Sequence, residues 1–231
     1  MLALLLACNQ PDSTQGSKWE VTQEVCQPPD PFVRPMMSPP ALDSSCEDAL
    51  LSDLSVEQDG FTDVALSQLV EGLYALLGRD AGQEPVTDDY IRSSFVDLLG
   101  ADSRGVTPAA YDFVTGMVQR TVYGDNPDEW VMGFDWSTGT LTVSEDDVAD
   151  AIETASRLVH EAGHGYTQEG HVECSDGSIT CDPDWSESLG FEAGIAESYG
   201  LNVPDDDPDA INWRTRASRA ADNSADLILE N

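Results

Sequence analysis

The sequence predicts an α+β domain that is mainly helical, with a small β-hairpin directly before a long helix. Three observations lead to this fold class. Apolar residues recur at helical spacing between Phe61 and Leu77, two short apolar runs flank a turn at 137–139, and a second helical stripe begins at Val148. At 231 residues the chain is long enough for one domain with a proper core and too short for two large ones.

The first half of the chain predicts three helices. The first carries an apolar stripe at helical spacing, formed by Phe61, Leu66, Leu69, Val70, Leu73, Leu76 and Leu77. The second carries a shorter stripe of Ile91, Phe95, Leu98 and Leu99. The third is predicted from Pro108 to Val122, because proline suits the first turn of a helix.

A β-hairpin is predicted over 130–143. The runs Trp130–Trp136 and Thr140–Val143 are rich in aromatic and β-branched residues, and they flank the turn Ser137-Thr138-Gly139.

The helix after the hairpin is predicted to begin at Ser144, an N-cap residue followed by three acidic residues that favour the positive end of a helix. Its buried stripe comprises Val148, Ile152, Ala155, Leu158 and Val159. The helix extends through His164, and Gly163 and Gly165 suit its termination. A final helix is predicted over about 208–229.

All three histidines of the chain, His160, His164 and His171, fall within twelve residues. On a helix, two histidines four residues apart lie about 40° apart around the axis, so both rings can reach one ion. Glu161 would project beside that ion, where it can take a proton from water without being a ligand. The pattern H-E-x-x-H is the signature of a zinc hydrolase, with Zn²⁺ as cofactor and Glu161 as the catalytic base.

A catalytic zinc normally takes three protein ligands and leaves a fourth position to water. His171 is the first candidate for the third ligand, if the chain turns back at Gly170. The alternative is a glutamate on a following helix, Glu192 or Glu197. These two lie about 140° apart on such a helix, so at most one can face the metal.

The motif resembles the metzincin pattern H-E-x-x-H-x-x-G-x-x-H over about a dozen residues. His171 lies one residue later than in that pattern, and no methionine follows Met132 to form a Met-turn. With Glu192 or Glu197 as third ligand, the site would instead resemble that of the gluzincins. Either resemblance implies a zincin-like metallopeptidase domain, predicted over 47–231.

The activity implied is that of a metalloendopeptidase acting on a peptide or protein. In zincins, a strand near the active-site helix aligns the substrate, and here the hairpin precedes that helix. Tyr166 or Tyr199 is the candidate donor for stabilising the oxyanion. The alternative function is that of a non-catalytic zinc-binding surface lipoprotein, a binding or scaffold module.

The first eight residues resemble the end of a bacterial lipoprotein signal, with Leu5-Leu6-Ala7 before Cys8. The resemblance implies lipidation at Cys8 and a membrane anchor there. It also implies a bacterial exported lipoprotein of the cell envelope, on the outer membrane or cell surface. Residues 9–46 are rich in Pro, Ser, Gln and Asp, and they are predicted to tether the lipid to the domain.

The four remaining cysteines are an even number, as expected of an exported protein with disulfides. The local pairings, Cys26–Cys46 and Cys174–Cys181, are the ones predicted. Cys174, three residues after His171, is also a candidate zinc ligand, but an oxidising compartment favours the disulfide.

The protein is strongly acidic, with a formal charge of −34 and a single lysine at Lys18. A surface of this charge repels phosphate backbones, so the sequence predicts no binding to nucleic acid. The acid excess is typical of adaptation to a salty medium, where screening relieves self-repulsion.

Overall fold

The computed structural model describes residues 17–27, 41–80, 110–124, 132–144, 151–168 and 170–171, apart from the side chains at 79, 80 and 152. These residues form five helices: α1 (Lys18–Cys26), α2 (Ser44–Asp53), α3 (Asp63–Asp80), α4 (Ala110–Met117) and α5 (Ala151–Thr167). They also form three strands: β1 (Arg120–Tyr123), β2 (Met132–Asp135) and β3 (Thr140–Val143). The predicted fold class, mainly helical α+β, is confirmed.

Helices α3 and α5 pack against each other at the centre of the core. They approach closely at Gly72, where an added Cβ would lie only 2.6 Å from Cγ2 of Thr154 and 3.1 Å from the backbone nitrogen of Ala155. Among the residues that the structure describes, the core around these helices contains eight fully buried leucines: Leu50, Leu54, Leu69, Leu73, Leu76, Leu77, Leu141 and Leu158. The helix predicted from the stripe between Phe61 and Leu77 is confirmed as α3, whose first turn is capped by the hydroxyl of Thr62.

The three strands form one mixed sheet in the order β1-β3-β2. Strands β2 and β3 are the predicted hairpin, antiparallel and paired with Phe134 opposite Leu141. The turn between them uses Asp135, whose carboxylate accepts hydrogen bonds from Ser137 and Thr138, and Gly139 at a φ of +66°. The sheet lies against α5 through β2, which places the hairpin beside the histidine motif.

The prediction of a helix from Pro108 to Val122 was wrong at its end, because α4 stops at Met117 and residues 120–123 form β1. Strand β1 pairs in parallel with β3, with Thr121 opposite Leu141. On its other side, Thr121 donates to the carbonyl of Ser55 and accepts from the amide of Glu57. These pairings are distant in sequence, and they override the local helical pattern.

Helix α1 lies inside the segment predicted as a tether, yet it packs on α2, α3 and α4. The only lysine of the chain holds it there, because Nζ of Lys18 donates to the carbonyls of Asp53 (2.8 Å) and Thr115 (3.0 Å). The predicted disulfide Cys26–Cys46 is confirmed, and it joins α1 to α2. Residues 18–26 therefore belong to the folded domain.

A buried polar network reinforces this contact. The hydroxyls of Tyr111 and Thr22 both donate to Oδ2 of Asp53, at 2.9 Å and 2.5 Å. Burial, with the nearby carboxylate of Asp53, raises the pKa of Tyr111 far above its usual value. Tyr111 therefore remains a neutral donor, and the network links α1, α2 and α4.

Several predictions fall on residues outside the described ranges. These are the lipidation site Cys8, the helices over 91–99 and 208–229, the disulfide Cys174–Cys181, and the start of the active-site helix at 145–150. Within the described part of the chain, no helix has both the length and the apolar character needed to cross a membrane.

Candidate metal centre

Helix α5 carries the histidine motif, and another face of the same helix packs into the core. Its core-facing side chains, Ala155, Leu158, Val159 and Ala162, have no exposed surface. The helix ends at Thr167, and Gln168 follows in the left-handed region with a φ of +60°. The amide of Gln168 donates to the carbonyl of His164 at 2.9 Å, which closes the last turn and reverses the chain.

The reversal brings all three histidines together. Nε2 of His160 lies 3.1 Å from Nε2 of His171 and 3.2 Å from Nε2 of His164. The ring centroids are separated by 4.7–5.1 Å, and the ligand atoms of the three residues all lie within 4.8 Å of one another. The sequence prediction that His171 joins His160 and His164 agrees with this arrangement.

These distances fit a metal ion. Two imidazole nitrogens held at ~2.0–2.1 Å from one ion, at a near-tetrahedral angle, lie about 3.1–3.4 Å apart. The measured separations of 3.1 Å and 3.2 Å fall in that range. Imidazole is a good ligand for zinc and for other first-row transition metals. The three histidines are therefore a group that could hold a metal ion.

The site is largely shielded from solvent. His160, His164 and Glu161 are 9%, 8% and 8% exposed, and His171 is half-buried. Placing this many polar side chains in the interior is costly unless each has a partner. A shared cation is one partner that all three imidazoles could coordinate at once.

Glu161 lies on the side of α5 that faces the sheet. At about 100° per residue, it is rotated about 100° from His160 and about 60° from His164, toward Gly165. Gly165 in turn contacts β2, because an added Cβ there would lie 2.6 Å from Cε1 of Phe134. The carboxylate-bearing residue therefore stands between the histidine pair and the strand.

His171 follows His160 by one residue more than the third histidine does in the metzincin pattern. That pattern places a glycine three residues before the third histidine. Here the left-handed residue is Gln168, also three residues before His171, while α5 runs on to Thr167.

Other sequence predictions have different outcomes. Tyr166 lies about 140° around α5 from the middle of the histidine pair. Its ring packs against Phe113 of α4, so the geometry gives no support to its role as an oxyanion donor. Glu192, Glu197, Cys174 and Tyr199 lie outside the described residues.

Two aromatic residues near the site were not predicted to contribute to it. Phe134 packs on Gly165, and Cη2 of Trp136 lies 3.8 Å from where a Cβ of Gly170 would be. The signal in the sequence was the alternate spacing of Met132, Phe134 and Trp136, which places large apolar side chains on one face of a strand.

A scan against protein-family models finds no match, and searches of curated proteins and of solved structures find no relative of this chain. Its function has to be argued from the residues of the site itself.

Proposed function

We propose that this chain is a zinc-dependent hydrolase, and specifically a metalloendopeptidase. The observation that carries the proposal is the convergence of three histidine nitrogens on a helix that also bears Glu161. A structural zinc site needs no general base, whereas a hydrolytic site does. The presence of Glu161 in this position therefore favours catalysis over a purely structural role.

The histidines supply the ligands, and His160, His164 and His171 would hold the zinc ion. When bound at such a site, zinc polarises a substrate carbonyl and lowers the pKa of its water to about 7. Three protein ligands leave one tetrahedral position for water or substrate.

Glu161 is the proposed general base. Among the described residues, the group of converging ligand atoms consists of the three histidines and does not include this carboxylate. Glu161, next to the ligand His160, would accept a proton from the attacking water and deliver it to the leaving amine. Its burial, at 8% exposure, would exclude competing solvent from the transfer.

The position of β2 supports a peptide as the substrate. The strand pairs with β3 along one edge, and its other edge has no partner strand within the described ranges. An extended peptide can add to such an edge through main-chain hydrogen bonds. The contact between Phe134 and Gly165 brings β2 against α5, the helix that bears Glu161. In the zincins that the motif resembles, a strand near the active-site helix aligns the substrate.

The decisive variant is Glu161→Gln. We expect it to retain zinc and to lose cleavage of casein or of a quenched-fluorescent peptide library by about 10²–10⁴-fold, the usual contribution of a general base. Glu153→Gln is the matched control, because Glu153 is on the same helix but is paired with Arg157 at 2.6 Å. Chelation should abolish cleavage by the wild type, and added zinc should restore it.

Two results would contradict the proposal. Full activity of the Glu161→Gln variant would exclude Glu161 as the base. A zinc-loaded wild-type protein that cleaves no peptide would instead support the alternative, a non-catalytic zinc-binding surface module.

We also propose that the protein is an exported lipoprotein. The Cys26–Cys46 disulfide supports an oxidising compartment, because such bonds are rare in reducing cytosol. Lipidation at Cys8 is tested by mass spectrometry of the membrane-associated protein and by its release in a Cys8→Ser variant.

A further inference from the structure

Trp136 is a large apolar side chain held beside the metal centre and open to solvent. It is 46% exposed, although a tryptophan normally buries most of its surface. Its Cη2 atom lies 3.8 Å from the Cβ position of Gly170, the residue directly before His171. One edge of the indole therefore lies close to the loop that carries the third histidine, and nearly half of the residue's surface faces water.

The indole continues an apolar stripe that begins in the core. Met132 is 6% exposed, and Phe134, two residues later, is half-buried against Gly165. Trp136 follows after another two residues and contacts the next glycine along the chain, Gly170. Exposure thus rises from Met132 and Phe134 in β2 to Trp136 in the turn that follows, close to the histidine cluster.

The turn that carries Trp136 is built without help from the indole. Oδ1 of Asp135 accepts hydrogen bonds from the amide (2.9 Å) and the hydroxyl (2.6 Å) of Ser137. Oδ2 accepts from the hydroxyl of Thr138 at 2.9 Å, and Gly139 supplies the positive φ that closes the turn. The hydrogen bonds of this turn therefore come from Asp135, Ser137 and Thr138 rather than from Trp136.

We propose that Trp136 forms a subsite for an apolar or aromatic side chain of the peptide substrate, adjacent to the metal centre. This inference rests on the proposed peptidase function. Contact between an exposed indole and an apolar side chain is favourable, because it removes apolar surface of both groups from water. Because Trp136 lies close to the loop before His171, a side chain near the scissile bond could make this contact. Trp136 would then influence which peptides are cleaved.

The experiment measures binding separately from turnover. The probes are acetylated, amidated alanine hexapeptides in which each position in turn is replaced by Phe, Leu or Lys. Their affinity for the zinc-loaded full chain carrying Glu161→Gln is measured by calorimetry, and the same peptides are offered to the active wild type for cleavage.

We expect Phe or Leu at one position to bind about 10-fold or more tightly than Ala, the scale of an apolar contact in a binding pocket. Adding Trp136→Ala should abolish this preference while leaving the all-alanine peptide unaffected. Trp136→Phe should retain much of it. Val64→Ala is the control, because Val64 is also an exposed apolar residue, at 52%, but lies in α3 rather than beside the histidines.

The inference is overturned if no peptide binds, if no position prefers Phe or Leu, or if Trp136→Ala weakens all peptides equally. It is also overturned if the preference that depends on Trp136 is for Lys. Zinc content and melting temperature of each variant show that it is folded. Failure of the wild type to cleave peptides that bind would count against the peptidase function, and the binding data would still decide the role of Trp136.

Discussion

Nε2 of His171 lies 3.1 Å from Nε2 of His160, eleven residues earlier in the chain. On a continuous helix, eleven residues would separate them by about 16 Å along the axis. The contact therefore requires the chain to reverse after Thr167, and the left-handed backbone of Gln168 begins this reversal. The position of the third candidate ligand therefore depends in part on a non-glycine residue at positive φ.

Substitutions at Gln168 should test that dependence. Gln168→Val should reduce the free energy of unfolding by about 1–2 kcal/mol, because a β-branched residue is strained at positive φ. It should also weaken zinc binding about 10-fold or more, since His171 would be displaced. Gln168→Gly should leave both close to wild type, because the relief of strain is offset by the greater entropy of the unfolded chain.

Chelator competition measures the zinc affinity of each variant, and denaturant titration measures its stability. Gln23→Val is the control, since it makes the same replacement within helix α1, away from the histidines. If Gln168→Val and Gln23→Val behaved alike, the left-handed turn could not be what positions His171.

Two glycine-to-alanine changes test the packing of α3 on α5. Gly72→Ala should reduce the free energy of unfolding by about 1–3 kcal/mol, because the new methyl group would meet Thr154 and the backbone of Ala155. Gly116→Ala, on α4, has nothing within 4 Å of the new atom and should be stabilising by up to about 1 kcal/mol. Urea unfolding of both variants gives the comparison, and equal stability of the two would refute the close approach.

Loss of the disulfide should affect stability but not the metal centre. The double variant Cys26→Ser/Cys46→Ser removes a cross-link between residues 20 apart, which chain-entropy estimates value at about 3 kcal/mol. Helix α1 packs on α2, α3 and α4 rather than on the end of α5. We therefore expect a lower melting temperature with unchanged zinc affinity at 25 °C. If the zinc affinity fell together with the melting temperature, α1 would be shown to support the site.

The ion pair between Glu57 and Arg120 should make a small contribution to folding stability that depends on pH. Two hydrogen bonds from Arg120, at 2.7 Å and 2.6 Å, hold the pKa of Glu57 below its usual value of 4.5. Because the folded-state pKa is the lower one, the pair is stabilising above the unfolded pKa. This stabilisation is lost as the pH falls through the folded-state value.

Glu57→Gln should therefore melt slightly below wild type at pH 7, and the difference should vanish at strongly acidic pH. Both side chains are about half exposed, so salt should also reduce the difference. Melting curves at pH 7 and in acid, with and without added salt, test this. A difference that grew on acidification would have the wrong sign.

The features that local periodicity encodes were predictable from the sequence. The stripe that forms α3, the alternation that forms β2 and β3, and the i, i+4 spacing of His160 and His164 each involve neighbouring residues. For His171 the sequence left two main alternatives open, because spacing does not show how far a chain turns back after a helix. The fold brings His171 to His160 and His164 after a turn at Gln168, for which the sequence carries no glycine signal.

The features that depend on distant partners were not predictable. Strand β1 is stabilised by β3 and by the chain around Ser55, far away in sequence. Helix α1 lies in a polar, proline-rich region, and its position depends on contacts such as that of Lys18 with Thr115, 97 residues away. Neither partner can be identified from the pattern of the segment alone.

The most direct test of the account is the zinc content of the purified full chain after dialysis, measured by inductively coupled plasma mass spectrometry. These three histidines are the only ones in the sequence, so replacing all three by alanine removes every imidazole. We predict about one zinc per chain for wild type and for the Glu153→Gln control, and almost none for the triple variant. A wild-type protein that binds no zinc, or a triple variant that keeps its zinc, would contradict the metal centre and the function proposed from it.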